Sequence, residues 1–216
     1  MDYTPEFTNI HMDAIKEMGN IGTGNAATAL SKLLGRSVDM DVPIAEIVPI
    51  YDITAHYGSP ETPVCAVLIR TEEHFSCSLI FMANEEHAAL LANLIIPMDI
   101  SGMDIETRTQ IMDSAIAEQG NIILGAFLNA LSQITGWQIP PTAPAVAHDM
   151  LGSLMDLVAT MFGVMGESAM LVKTNLHIRG LEEDIGGAII MIPDPGSLET
   201  LLSKLGVLWV WLLQYM

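Results

Sequence analysis

Cysteine, basic side chains and long apolar runs are all scarce in this sequence, and each shortage closes off a class of function. Only two cysteines occur, Cys65 and Cys77; they match no metal-ligand spacing, and two thiols make a poor disulfide framework for 216 residues. Both lie in apolar, strand-like stretches and are expected to be reduced core residues of a cytoplasmic protein. Lysine and arginine total 8 against 26 aspartates and glutamates, a formal net charge of -18. No nucleic-acid partner is expected from that balance, because neutralising phosphates requires a basic patch. The first thirty residues hold no basic segment leading into an apolar one, so no secretory leader is expected. One nearly continuous apolar stretch, Val207 to Met216, falls well short of the roughly 20 residues a membrane-spanning helix needs. No integral membrane segment is expected; this tail reads as a terminal strand or helix over the core, with partner docking as its other use.

The usual catalytic and cofactor motifs are missing too. GNIGTG at Gly19 to Gly24 lies inside a helical pattern, with no strand before it and no Gly-Lys-Ser/Thr after it, so it does not read as a phosphate loop. The histidines are dispersed, His148 among them, and His74 and His177 coincide only at a hairpin turn. Neither a His-x-x-x-His pair nor a Cys/His cluster suggests a metal site, and no Gly-x-Ser-x-Gly elbow announces a serine nucleophile.

What the sequence does contain is one site made twice. Asp13, Glu17 and Asn20 are answered by Ser114, Glu118 and Asn121, and each trio is followed 23 residues after its asparagine by a proline, Pro43 and Pro144. Positions i, i+4 and i+7 share one face of an α-helix, so each trio presents a carboxylate beside a carboxamide. Neither is a strong nucleophile. The pair suits positioning: an amide to hold a water and a carboxylate to grip a cation on whatever brings the water's target.

The duplication runs further. Gly19 to Pro43 matches Gly120 to Pro144, Ala66 to Phe75 matches Ala169 to Ile178, and Leu79 onward matches Ile189 onward, with a charged insertion around Arg179 to Ile185 in the second copy. The copies span about 8–97 and 101–206, a single domain of two repeats followed by the 207–216 tail. Each is expected to begin with a long helix, about Thr8 to Leu34 and Asp104 to Thr135, stopped by Gly35 and Gly136. An extended segment follows, Val38 to Ile50 and Trp137 to Val146, whose prolines confine it to an edge. A second helix is expected near Tyr51 to Tyr57 and His148 to Phe162, then a hairpin, then a closing helix capped by Asn84 or Asp194. The predicted fold is α+β: a pseudo-twofold duplicated unit with one six-stranded, largely antiparallel sheet flanked by helices, two of them the long signature helices. Glycines before each asparagine and small residues after it cost helix stability, which predicts close approach of another backbone, from the opposing repeat or a partner.

EMGNIGTGNAATALSKLLGRSVDMDVP and EQGNIILGAFLNALSQITG, with DMLGSL beyond the second proline, closely resemble the CheC family of chemotaxis phosphatases, in the superfamily that includes CheX and FliY. The resemblance covers nearly the whole chain. It implies hydrolysis of the aspartyl phosphate of the response regulator CheY, with Glu17, Asn20, Glu118 and Asn121 as catalytic residues and Asp13, Ser114, Pro43 and Pro144 in support. It implies no cofactor of the chain's own, since Mg²⁺ would sit on CheY. It also implies the deamidase CheD as partner, docking over His148 to Asp156 with Asp149 as its exposed charge; two other readings stay open, a mainly non-catalytic module that holds CheD and a component associated with the flagellar switch.

Overall fold

The computed structural model describes residues 9–162 and 168–205; the Val207–Met216 tail, the expected helix start at Thr8 and the side chain of Ile15 lie outside the described residues. The first long helix, α1 (Asn9–Leu34), ends at Gly35, whose φ of 61° is the left-handed conformation glycine adopts without penalty. The second, α4 (Ile105–Thr135), starts at Asp104, whose side chain accepts from the Thr107 N–H, and ends at Gly136 with φ of 72°. Between them lie β1 (Val38–Pro49), a 3-10 turn at Ile50–Asp52, α2 (Ile53–Tyr57), β2 (Pro63–Thr71), β3 (Cys77–Asn84) and α3 (Glu85–Ile95). After α4 come β4 (Ala145–Met150), α5 (Leu151–Phe162), β5 (Ser168–Ile178), β6 (Ile185–Pro193) and α6 (Ser197–Lys204).

The strands form one six-stranded sheet in the order β1-β5-β6-β3-β2-β4, and every neighbouring pair is antiparallel. The order exchanges the edges. β1, from the first half, pairs with the second half's β5, while β4, from the second half, pairs with the first half's β2. At the centre, β3 and β6 align Ile80 with Ile190. Those two residues are also equivalent in the sequence duplication, so the pseudo-twofold axis passes beside that pair.

Helices cover both faces, which is why the central strands read as continuous apolar runs instead of alternating. Alternate residues, such as Val67, Leu79, Phe81 and Ile189, pack under α1, α3 and α4; their neighbours, such as Ala66, Ile80, Met82 and Ile190, pack against α5 and the 3-10 turn. Cys65 and Cys77 are buried free thiols, and burial pushes both up to about 12, out of reach of ionisation at neutral pH. On α1, Met18, Ala26 and Leu30 are buried as the apolar stripe requires, although Leu33, at its end, is 39% exposed.

Three local expectations need correction. The second extended segment does not begin at Trp137: the strand is only Ala145–Met150, because Pro140, Pro141 and Pro144 have no N–H to give a ladder. The following helix starts at Leu151, not His148, since His148 and Asp149 pair with Cys65 and Val64 as part of β4, and the Leu151 N–H donates to the Thr62 carbonyl at 2.8 Å. Asp194 does not cap α6, which begins after Gly196. Its carboxylate instead takes the Arg70 guanidinium in a two-pronged contact at 2.7 and 3.3 Å.

Candidate functional site

Both signature helices lie on the same side of the sheet and pack against each other; α1 rests on β1 of its own half and β5 of the other, and α4 on β2 and β3 of the other half and β4 of its own. A glycine precedes each asparagine at that seating, and the second has the closer fit. Gly120 sits over Val67 of β2, where a β-carbon would come within 2.6 Å of the valine side chain. Gly19 is seated over Val172 of β5 and Val42 of β1 with ordinary contacts of 3.9 Å. Where the helices meet, a β-carbon on Gly22 would lie 2.5 Å from the buried Phe127 ring. The expected close approach from the opposing repeat is therefore present, but side chains make it and not a backbone.

Seated this way, each helix turns its polar trio outward. Asp13, Glu17 and Asn20 on α1 are exposed; on α4, Ser114 and Glu118 are exposed and Asn121 is half-buried. The Ser114 hydroxyl donates back to the Gln110 carbonyl at 2.8 Å. The side chains of Glu17, Asn20, Glu118 and Asn121 make no hydrogen bond or ion pair with any described residue. An uncommitted carboxamide beside an uncommitted carboxylate can donate to, and accept from, a visiting group without breaking an internal contact.

The two prolines mark where the edge strands pass near the helices. Val42 and Pro43 lie together opposite Thr174, between the pairs Asp41 with Asn175 and Ile44 with Lys173. This is a bulge on an edge strand, where a missing N–H is tolerated. It puts Val42 against Gly19, next to Asn20. Pro144, half-buried, immediately precedes β4, whose Val146 pairs with the Val67 that seats Gly120.

Two further groups escaped the sequence reading. The buried Thr23 hydroxyl lies 2.9 Å from the Gly19 carbonyl and 3.1 Å from that of Asn20, tying the helix backbone at the asparagine; its only sequence signal is its place one turn downstream. His148 is not an isolated histidine. Its Nδ1 meets Glu85 Oε1 at 2.7 Å, its Nε2 meets Asp113 Oδ1 at 3.1 Å, and the Cys65 sulfur lies 3.8 Å away. Burial works against the imidazolium, but the hydrogen bonds and charges of Glu85 and Asp113 together outweigh it, and the net shift is upward. Asp113 adjoins Ser114 in the chain, so this clamp fastens β4 to the helix bearing the second trio. Asp149, the next residue, is exposed, and its carboxylate accepts from the Met150 N–H. No other signal than three-dimensional pairing could have found the clamp, since its members are far apart in sequence.

The pattern of the CheC-like family matches residues 6–47 and 111–148, the two spans that hold the signature trios. The chain is 30% identical to the CheY-P phosphatase CheC of Bacillus subtilis over 200 residues, 90% of this chain and 93% of that protein. It is 33% identical to the flagellar motor switch phosphatase FliY of the same organism, over 93% of this chain but 50% of FliY. Among solved structures, Thermotoga maritima FliY superposes with a TM-score of 0.71 at 21% identity, covering 94% of this chain and 98% of that one, a likeness of fold.

Proposed function

The chain belongs to the CheC-like family, and from that premise we propose that it is a chemotaxis phosphatase that hydrolyses the aspartyl phosphate of the response regulator CheY. The observation that carries the reading is the twice-built pair of unengaged side chains, Glu17 with Asn20 and Glu118 with Asn121, on outward faces of rigid helices. An acyl phosphate is already labile, so what the reaction lacks is an ordered nucleophile in line with phosphorus. In this reading the carboxamide of Asn20 or Asn121 orients a water, and Glu17 or Glu118 pairs with a lysine of the regulator. The water oxygen forms the new bond to phosphorus, the bond to the regulator's aspartate breaks, and the products are inorganic phosphate and the free carboxylate. Both of the water's protons leave with the product as dihydrogen phosphate, which loses one to solvent according to pH. No covalent intermediate on this chain and no cofactor of its own is required; the regulator brings Mg²⁺. Asp13 and Ser114 support the sites from one turn earlier, and Pro43 and Pro144 shape the strands beneath them.

The same premise brings CheD as a regulatory partner, docking around exposed Asp149, and a cytoplasmic place of action. Among the described residues no helix is long and apolar enough to cross a membrane. The test is the decay of acetyl-phosphate-charged CheY. Asn20→Ala with Asn121→Ala together should abolish the acceleration while unfolding stays as in the parent, and each single variant should keep part of it. Full activity in the double variant would falsify the assignment. For the partner, Asp149→Lys should weaken CheD capture in a pull-down and leave unassisted CheY decay as it was; undiminished capture would place the contact elsewhere.

A further inference from the structure

The two sites are copies in sequence but place their charges differently: Asp13, seven residues before Asn20, answers to Ser114, and nearer the amide Lys16 answers to Ala117. On α1, Lys16 precedes Asn20 by four residues, so on a helix with about 3.6 residues per turn the amide falls between Lys16 on one side and Glu17 on the other. The equivalent of Lys16 on α4 is Ala117, half-buried and uncharged. Lys16 is exposed and has no ion-pair or hydrogen-bond partner among the described residues. On either signature helix no other lysine or arginine lies within three turns of the asparagine, in a chain that has only 8 such residues and a net charge of -18.

We propose that Lys16 contacts the anionic phosphoryl group presented to the first site, making the reaction of that site the more salt-sensitive of the two. The proposal rests on the phosphatase reading of the same site. A phosphorylated partner meets a strongly acidic surface, and an ammonium one helical turn from the water-orienting amide offsets that repulsion where the phosphoryl oxygens arrive. The lysine changes no bond in the hydrolysis; it acts on encounter and on the charge of the phosphoryl oxygens during displacement.

The experiment uses full-length proteins with one site each, Asn121→Ala to leave the first and Asn20→Ala to leave the second, assayed for decay of charged CheY. In the first-site protein, Lys16→Gln should lower kcat/KM about fivefold at low ionic strength, the worth of one exposed unit charge at ion-pair distance in water, with the gap narrowing as salt screens it. Lys16→Arg should keep most of the activity. In the second-site protein, Ala117→Lys should raise kcat/KM and steepen its salt dependence. A Lys16→Gln rate within experimental error of its parent at low salt overturns the proposal, as does a gap that salt does not change, which would point to packing. A first-site protein with no activity also overturns it, since the lysine would have no reaction to serve. Retained activity in the double asparagine variant would instead remove the assignment of the reaction to these two sites, and a parent that leaves CheY decay unchanged would remove the phosphatase reading itself, so the failures are distinct.

Discussion

At the scale of single residues, the glycines of the signature helices divide into two kinds that the sequence does not distinguish. Gly22 and Gly120 face rigid neighbours: a fully buried phenylalanine ring, and a β-branched valine held in a central strand. Adding a methyl there should destabilise the fold by roughly 1–2 kcal/mol, because overpacking outweighs the helix propensity gained over glycine. Gly24, one turn beyond Asn20, has no described atom within 4 Å of a β-carbon. Gly24→Ala should therefore stabilise by about 0.5–1 kcal/mol. Urea unfolding of the three variants checks this contrast, and a Gly22→Ala protein as stable as Gly24→Ala would show that Phe127 can give way. The trios themselves were legible because recurrence at a fixed offset outweighs the ordinary expectation that a helix face is polar. Thr23 was not, since a hydroxyl bonded back to its own helix leaves no periodic trace.

At the scale of elements, helices and central strands followed from local pattern: the apolar stripe, the left-handed glycine stops at Gly35 and Gly136, and the unbroken apolar runs of β3 and β6. The edge strands did not. Their ends are set by partners distant in sequence, as where the Thr62 and Pro60 carbonyls receive the first N–H groups of α5 and end β4. The His148 clamp ties β4 to the helical layer beside the packing of Val146, and the clamp titrates. The folded-state pKa of His148 is raised above its ordinary value near 6.5, so the clamp's contribution is fully present below that value and is lost as pH rises through the raised one. The stability difference between the parent and His148→Gln should accordingly be largest in mildly acidic buffer and shrink toward alkaline pH, as read by denaturant melts across the range. A difference that grew with pH would contradict the sign. His177, set between Asp41 at 2.8 Å and Asp184 at 2.6 Å, is raised by those two hydrogen bonds and should titrate in the same sense at the β1 edge.

At the scale of the whole molecule, the exchange of edge strands means that each half completes the other's part of the sheet. Cutting the exposed connection between α3 and α4, for instance at a protease site inserted near Gly102, should leave two fragments that co-elute under native conditions and part only in denaturant. Separation in native buffer would show that the interlocked pairing contributes little. Nothing in the pattern of the sequence foretold the exchange, because a repeat whose extended segment pairs at home and one whose segment pairs abroad have the same periodicity. Its consequence reaches past the present chain. A polypeptide of half this length could close such a sheet only as a symmetric homodimer, with two reaction centres bound to be identical by rotation. Joined in one chain, the centres are released from that identity, and residues such as Lys16 against Ala117, or Thr23 against Leu124, are free to give them different substrates, rates or regulation.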